Sequence, residues 1–189
     1  MAGKIIILSA PSGSGKTTIV QQLLNMPGLL LEFSVSACSR PKRSNETHGK
    51  DYYFLSVPEF KEKIKNQEFL EWEEVYKNHF YGSLISEVDR ITNVGRNIIF
   101  DVDVKGALNI KKHYGQQALS IYIKPPSIKE LEKRLIKRAT DSPEEIKIRL
   151  EKAEFEMGFA DKFDEVIVND VLENSVNKAC KIISDFLKR

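Results

Sequence analysis

Ser9-Ala10-Pro11-Ser12-Gly13-Ser14-Gly15-Lys16-Thr17-Thr18 follows the apolar run Lys4-Ile5-Ile6-Ile7-Leu8 and precedes an apolar stripe of Ile19, Val20, Leu23 and Leu24 that stops at Pro27-Gly28. Strand, glycine-rich loop and helix in that order form the context in which a Walker A loop works, and Ala10 stands where the strict pattern has glycine. Gly13 and Gly15 let the backbone curl until successive N–H groups point inward, and the following helix adds the positive end of its dipole. A polyphosphate fits such a nest. Ser12, Gly13, Ser14, Gly15 and Thr18 would line it, Lys16 would reach the β- and γ-phosphates, and the Thr17 hydroxyl would bind the Mg²⁺ that bridges them. Asp101, at the end of the run Ile98-Ile99-Phe100, is placed like a Walker B aspartate and could support the same Mg²⁺, although an Asp at a strand end is also a common turn residue.

Outward from this loop, four more short apolar runs read as strands: Leu30 to Ser36, Asn97 to Asp103, Ala118 to Lys124 and Asp164 to Val168. They do not alternate with polar residues, which is the pattern of strands covered on both faces. Helix-like segments separate most of them, and Val176, Ala179, Cys180, Ile183 and Leu187 form a last apolar stripe. The expectation is an α/β P-loop fold with a five-stranded parallel sheet flanked by helices. Two stretches break the rhythm. Residues 39–86 read as a small mixed α+β insertion, with a helix opened by the capping pattern Ser56/Glu59. Residues 127–156 contain two more capped helix starts, Ser127/Glu130 and Ser142/Glu145. The core is then assigned to residues 1–38, 87–126 and 157–189.

The 189 residues, 41% hydrophobic and 30% charged, suffice for one sizeable core. A net charge of +2 is too mild for a nucleic-acid binder, so any basic site must be local. Cys38 and Cys180 lie far apart without zinc or redox spacing, and two reduced, buried thiols are expected. The N-terminal apolar run is too short for a signal peptide and no later run approaches membrane-spanning length. A soluble cytoplasmic protein, monomeric or homodimeric, with no nucleic-acid or membrane partner, is the expectation.

Local basic sites exist. Ser39-Arg40-Pro41-Lys42-Arg43 sets two arginines three apart around a stiffening proline, suited either to forking a phosphate or to a solvated basic loop. Arg134 and Arg138 are four apart and share a helix face, with Arg149 beyond the Ala139-Thr140-Asp141-Ser142 break. Like charges so placed repel unless an anion lies between them. A surplus of cations is what transfer between two phosphorylated molecules requires.

The sequence resembles the guanylate kinase family nearly end to end. The resemblance is carried by the loop Ser9 to Thr18, Phe33-Ser34-Val35-Ser36 leading into Arg40 and Arg43, and Gly49-Lys50-Asp51-Tyr52. Phe69-Leu70-Glu71-Trp72, Tyr81-Gly82-Ser83, Asp101-Val102-Asp103, the Arg134 to Arg149 stretch and Val168-Asn169-Asp170 extend it. The resemblance implies transfer of the γ-phosphate of ATP to GMP, and also to dGMP, with Mg²⁺ accompanying the ATP. It makes residues 39–86 the GMP-binding part and 127–156 a helical lid. It places Arg40, Arg43, Tyr52 and Tyr81 on the GMP phosphate, and Ser36, Glu71, Ser83 and Asp103 around the guanine. On the donor side it implies lid arginines Arg138 and Arg149 over the transferring group, Arg134 beside them, and Asn169 near the adenine. Lys16, Arg40, Arg43, Arg138 and Arg149 are the residues expected to act in catalysis. Lys105 stands where glutamine is common in the family and Ala139 where a lid glycine is common. A kinase of similar outline for another small phosphorylated acceptor, or a peptide-binding scaffold module that has lost catalysis, are the alternatives; Glu71 and Ser83 favour a purine, and Lys16 and Thr17 favour an intact enzyme.

Overall fold

The computed structural model describes residues 3–138 and 142–189; the side chain of Arg138 lies outside the described residues. Along the chain run β1 (Ile5–Ser9), α1 (Lys16–Leu24), β2 (Leu31–Phe33), β3 (Ala37–Cys38), β4 (Tyr53–Phe54), α2 (Val57–Lys65), β5 (Phe69–Tyr76) and β6 (His79–Leu84). They continue with α3 (Ile85–Thr92), β7 (Asn97–Val102), α4 (Val104–Tyr114), β8 (Ala118–Lys124), α5 (Ile128–Arg138), α6 (Pro143–Met157), β9 (Glu165–Val168) and α7 (Leu172–Leu187).

Every residue of β1 is buried, and so is nearly every residue of β8, because helices cover both faces of the sheet they form. The sheet has five parallel strands in the order β2-β7-β1-β8-β9. Ile5 to Ser9 of β1 lie opposite Ala118 to Tyr122 of β8, and Ile121 to Lys124 lie opposite Glu165 to Val168 of β9. On one face Ile6, Leu8, Ile121, Ile123 and Ile167 pack with Ile19, Val20 and Leu23 of α1 and Val176, Ala179 and Ile183 of α7. On the other, α4 packs against β1 and β8. This is the fold expected from the uninterrupted apolar runs, and it delivers the carboxyl end of β1 to the phosphate loop, where open α/β sheets bind their ligands.

The chain forms two compact units. The unit of Ile5–Leu31 and Ile99–Arg189 carries the phosphate loop, and in it α5 and α6 pack through Leu131, Leu135 and Ala153. Ser142 and Glu145 make a reciprocal capping box at the start of α6, and the Ser127 hydroxyl accepts from the Glu130 N–H at 3.1 Å.

The other unit centres on Glu32–Ile98. It holds a four-stranded sheet in the order β4-β3-β6-β5, with β6 antiparallel to both β3 and β5. Ala37, Phe60, Phe80 and Leu84 form its core, and Phe60 stacks on Phe69 with ring centroids 4.3 Å apart. Ser56 and Glu59 cap α2 as a box. Cys38 is a buried free thiol, whereas Cys180 is free but only half-buried on α7, short of the full burial expected for it. Among the described residues, no helix is long and apolar enough to cross a membrane.

Candidate functional site: a phosphate cleft and an arginine–tyrosine cluster

The phosphate loop turns on two residues with left-handed backbone, Gly13 at φ 87° and Gly15 at φ 86°. Side chains resist this conformation, and their neighbours would have to shift as well: a Cβ on Gly15 would stand 2.5 Å from Asn169 Nδ2, and one on Gly13 2.9 Å from Leu135 Cδ2. Asn169, 4% exposed, donates from Nδ2 to the Ser14 carbonyl at 2.7 Å, and its own carbonyl accepts from Arg134 Nη2 at 3.0 Å. Arg149 Nη1 donates to Ser12 Oγ at 2.8 Å. Loop, β9 end, α5 and α6 are thereby tied together within one unit.

Lys16 begins α1, so the helix N-terminus opens on the same space. Its Nζ lies 2.5 Å from Asp101 Oδ1 and donates to the Val102 carbonyl at 2.8 Å. Thr17 Oγ1 donates to Asp101 Oδ2 at 3.1 Å. These groups line a cleft of about 840 Å³, together with Ser12 to Gly15, Thr18, Asp103, Arg134 and Arg149. Asp103 also accepts the Gly106 N–H at 2.8 Å and so caps α4. Lys105 in that first turn is exposed. Ala139 and the side chain of Arg138, both singled out in the sequence, lie outside the described residues.

Three further charged residues line the cleft that sequence inspection did not find: Lys137, Lys152 and Glu156. Lys152 and Glu156 follow Arg149 at helical spacing on α6, so periodicity could have found them. Glu156 is 8% exposed, and burial pushes its carboxyl up, opposed by Lys152 and Lys16 and assisted by Asp103.

The second unit gathers the remaining residues. The Arg40 guanidinium stacks over the Tyr52 ring at 5.1 Å, and Tyr52 meets Tyr81 edge-on at 6.0 Å. Burial raises the Tyr52 phenol above its usual range, which keeps it a neutral donor. Arg43 is exposed in the same loop. Glu71 and Ser83 are register partners on β5 and β6, and the buried Ser83 hydroxyl donates to Glu71 Oε1 at 2.6 Å. Ser36 is half-buried, and its carbonyl accepts from the Tyr53 N–H at 2.9 Å.

Two acidic residues absent from the sequence-based expectations organise this cluster. Glu87, 2% exposed, accepts from the Val35 N–H at 3.1 Å, the Tyr53 hydroxyl at 2.8 Å and Arg90 Nε at 2.8 Å, and so fixes the neighbours of Ser36 and Tyr52. Glu46 takes both terminal nitrogens of Arg40.

Comparison with known proteins accords with these features. The family model described as guanylate kinase matches residues 2–188. A guanylate kinase of Bacteroides fragilis is 56% identical over 184 residues, covering 97% of this chain and 90% of that protein. One of Bacteroides thetaiotaomicron is 53% identical over 189 residues, covering 100% and 92% respectively. The crystal structure of guanylate kinase from Anaplasma phagocytophilum matches with a TM-score of 0.76 at 30% identity, covering 100% of this chain and 88% of that one. From the phosphate loop to the end of α7, the chain belongs to the guanylate kinase family of kinases.

Proposed function

We propose that this protein transfers the γ-phosphate of ATP to GMP, giving ADP and GDP, and that it does so in the cytoplasm. The observation that supports this most is the pairing, within one unit, of an anion-binding cluster with a fixed carboxylate: Arg40 with Tyr52 and Tyr81, and Glu71 held by Ser83. Arginine and two phenols suit a phosphate. A carboxylate in a set direction can accept from guanine N1–H and the 2-amino group together, a donor pair that adenine lacks.

On the donor side, the N–H groups of residues 13–17 and the start of α1 receive the ATP phosphates, with Lys16 exchanging its Asp101 contact for the β- and γ-oxygens. Thr17 and Asp101 are suited to hold Mg²⁺, since a hydroxyl and a carboxylate 3.1 Å apart are hard oxygen ligands beside a phosphate nest. When bound, Mg²⁺ supplies neutralisation of the donor phosphates. Arg149 and Arg134 add positive charge at the same cleft, with Arg138 assigned there by family resemblance.

No general base is needed, because the GMP phosphate oxygen is already largely anionic at neutral pH. Catalysis reduces to positioning, charge neutralisation and exclusion of water. A coupled ADP-release assay with GMP, AMP and UMP offered in turn tests the proposal. Turnover with GMP alone is expected, and equal turnover with AMP or UMP would contradict it.

A further inference from the structure

Glu46 lies three residues beyond Arg43, in the loop that follows β3. Its Oε1 accepts from Arg40 Nη2 at 2.5 Å and its Oε2 from Arg40 Nη1 at 2.7 Å. The same Oε2 accepts the backbone N–H of Arg43 at 2.8 Å. The two side chains are only 12% and 11% exposed. One carboxylate therefore holds the guanidinium of one arginine and the backbone of the other.

The edges of the guanidinium decide what this contact means. Arginine carries five N–H donors in a rigid plane, and two of its edges can fork an oxyanion: the terminal Nη1/Nη2 edge and the lateral Nε/Nη2 edge. Glu46 takes the terminal edge, and Nη1 spends its second hydrogen on the Pro41 carbonyl at 3.1 Å. The lateral edge faces away from Glu46. The Tyr52 and Phe54 rings lie 5.1 and 5.5 Å from the guanidinium carbon and crowd the space around it.

We propose that Glu46 is a positioning residue for the acceptor phosphate: it grips Arg40 by the terminal edge so that the lateral edge meets the phosphate of GMP, and it pins the loop that presents Arg43. The proposal rests on the reading of Arg40 and Arg43 as ligands of the GMP phosphate. A carboxylate that instead occupied the phosphate's own place would be a competitor, and its removal would tighten GMP binding. Glu46 holds the terminal edge, while the guanidinium also bonds the Tyr81 hydroxyl of the proposed phosphate cluster, and this division of partners argues for the positioning role.

The test is steady-state kinetics on the full chain and its Glu46→Ala and Glu46→Gln variants. GMP is varied at saturating Mg²⁺-ATP, and ATP is varied at saturating GMP. Loss of a charge-assisted fork predicts a rise in KM for GMP of about tenfold or more in Glu46→Ala, with KM for ATP changed less than about twofold. Glu46→Gln keeps one acceptor oxygen and one backbone contact, so it falls between wild type and Glu46→Ala. A merely structural role would raise both KM values together or leave both unchanged, and either result overturns the proposal, as does a lower KM for GMP. Should Glu46→Ala fail to fold, Glu46→Gln alone decides. A wild-type protein with no turnover of GMP would overturn the acceptor reading as well, whereas normal turnover with unaltered KM for GMP in the variants overturns the Glu46 role only.

Discussion

The side-chain amide of Asn169 donates to the carbonyl of Ser14 at 2.7 Å, joining the end of β9 to the phosphate loop across 155 residues of chain. The sequence resemblance suggested a place near adenine for Asn169; the structure gives it a supporting contact to the loop itself. Asn169→Ala removes a buried hydrogen bond and leaves the Ser14 carbonyl unpaired, a cost of about 1–3 kcal/mol. The unfolding free energy from urea titration should fall by that amount, and KM for ATP should rise severalfold while KM for GMP stays put.

Gly15 is confined from two directions, by its positive φ and by the same asparagine. Gly15→Ala should abolish measurable ATP binding by calorimetry. The double variant with Asn169→Ala should be less destabilised than the sum of the two single changes, because the collision with Nδ2 is gone while the left-handed backbone cost remains.

Asp101 holds Lys16 and Thr17 through different oxygens of one carboxylate. Asp101→Asn keeps the shape and removes the charge. Its Mg²⁺ titration should shift to higher concentration with kcat reduced about tenfold or more, and a chelator should stop turnover in both proteins.

Acid should erode the stability that the acceptor loop contributes. The carboxyl of Glu46 is drawn down to about 2 from 4.5, chiefly by its side-chain contact with Arg40 and then by the Arg43 N–H. A depressed folded-state value means that the contribution is complete above 4.5 and is lost as pH falls toward about 2. Glu156 runs the other way: its raised value means that folding becomes less favourable as pH rises through its titration. Urea denaturation across pH should show a shallower acid loss in Glu46→Gln than in wild type. Equal slopes in the two proteins would refute the assignment.

How much of this was legible depends on what each residue's neighbours are. The five core strands stood out because sheets covered on both faces leave uninterrupted apolar runs, although the run Leu30 to Ser36 was longer than β2, which keeps only Leu31–Phe33. Leu30 is left-handed at φ 47° and stands outside the strand. In the smaller sheet, β3 and β4 have two residues each, too short for any periodicity. The β5–β6 hairpin turns at Asn78, left-handed at φ 62°, a turn residue whose signal went unused. Glu46 and Glu87 were invisible for a different reason. Their partners are set by loop and tertiary contacts, and a lone glutamate in sequence looks like any solvated one.

Selection of the base is the central claim, and it is carried by Glu71 held at 2.6 Å from the Ser83 hydroxyl. The decisive measurement is the ratio of kcat/KM for GMP to that for AMP, in wild type and Glu71→Ala side by side. A site built on such hydrogen bonds predicts a wild-type preference of about 10⁴ that collapses by about a hundredfold or more in the variant. A ratio unchanged by the substitution would contradict the account.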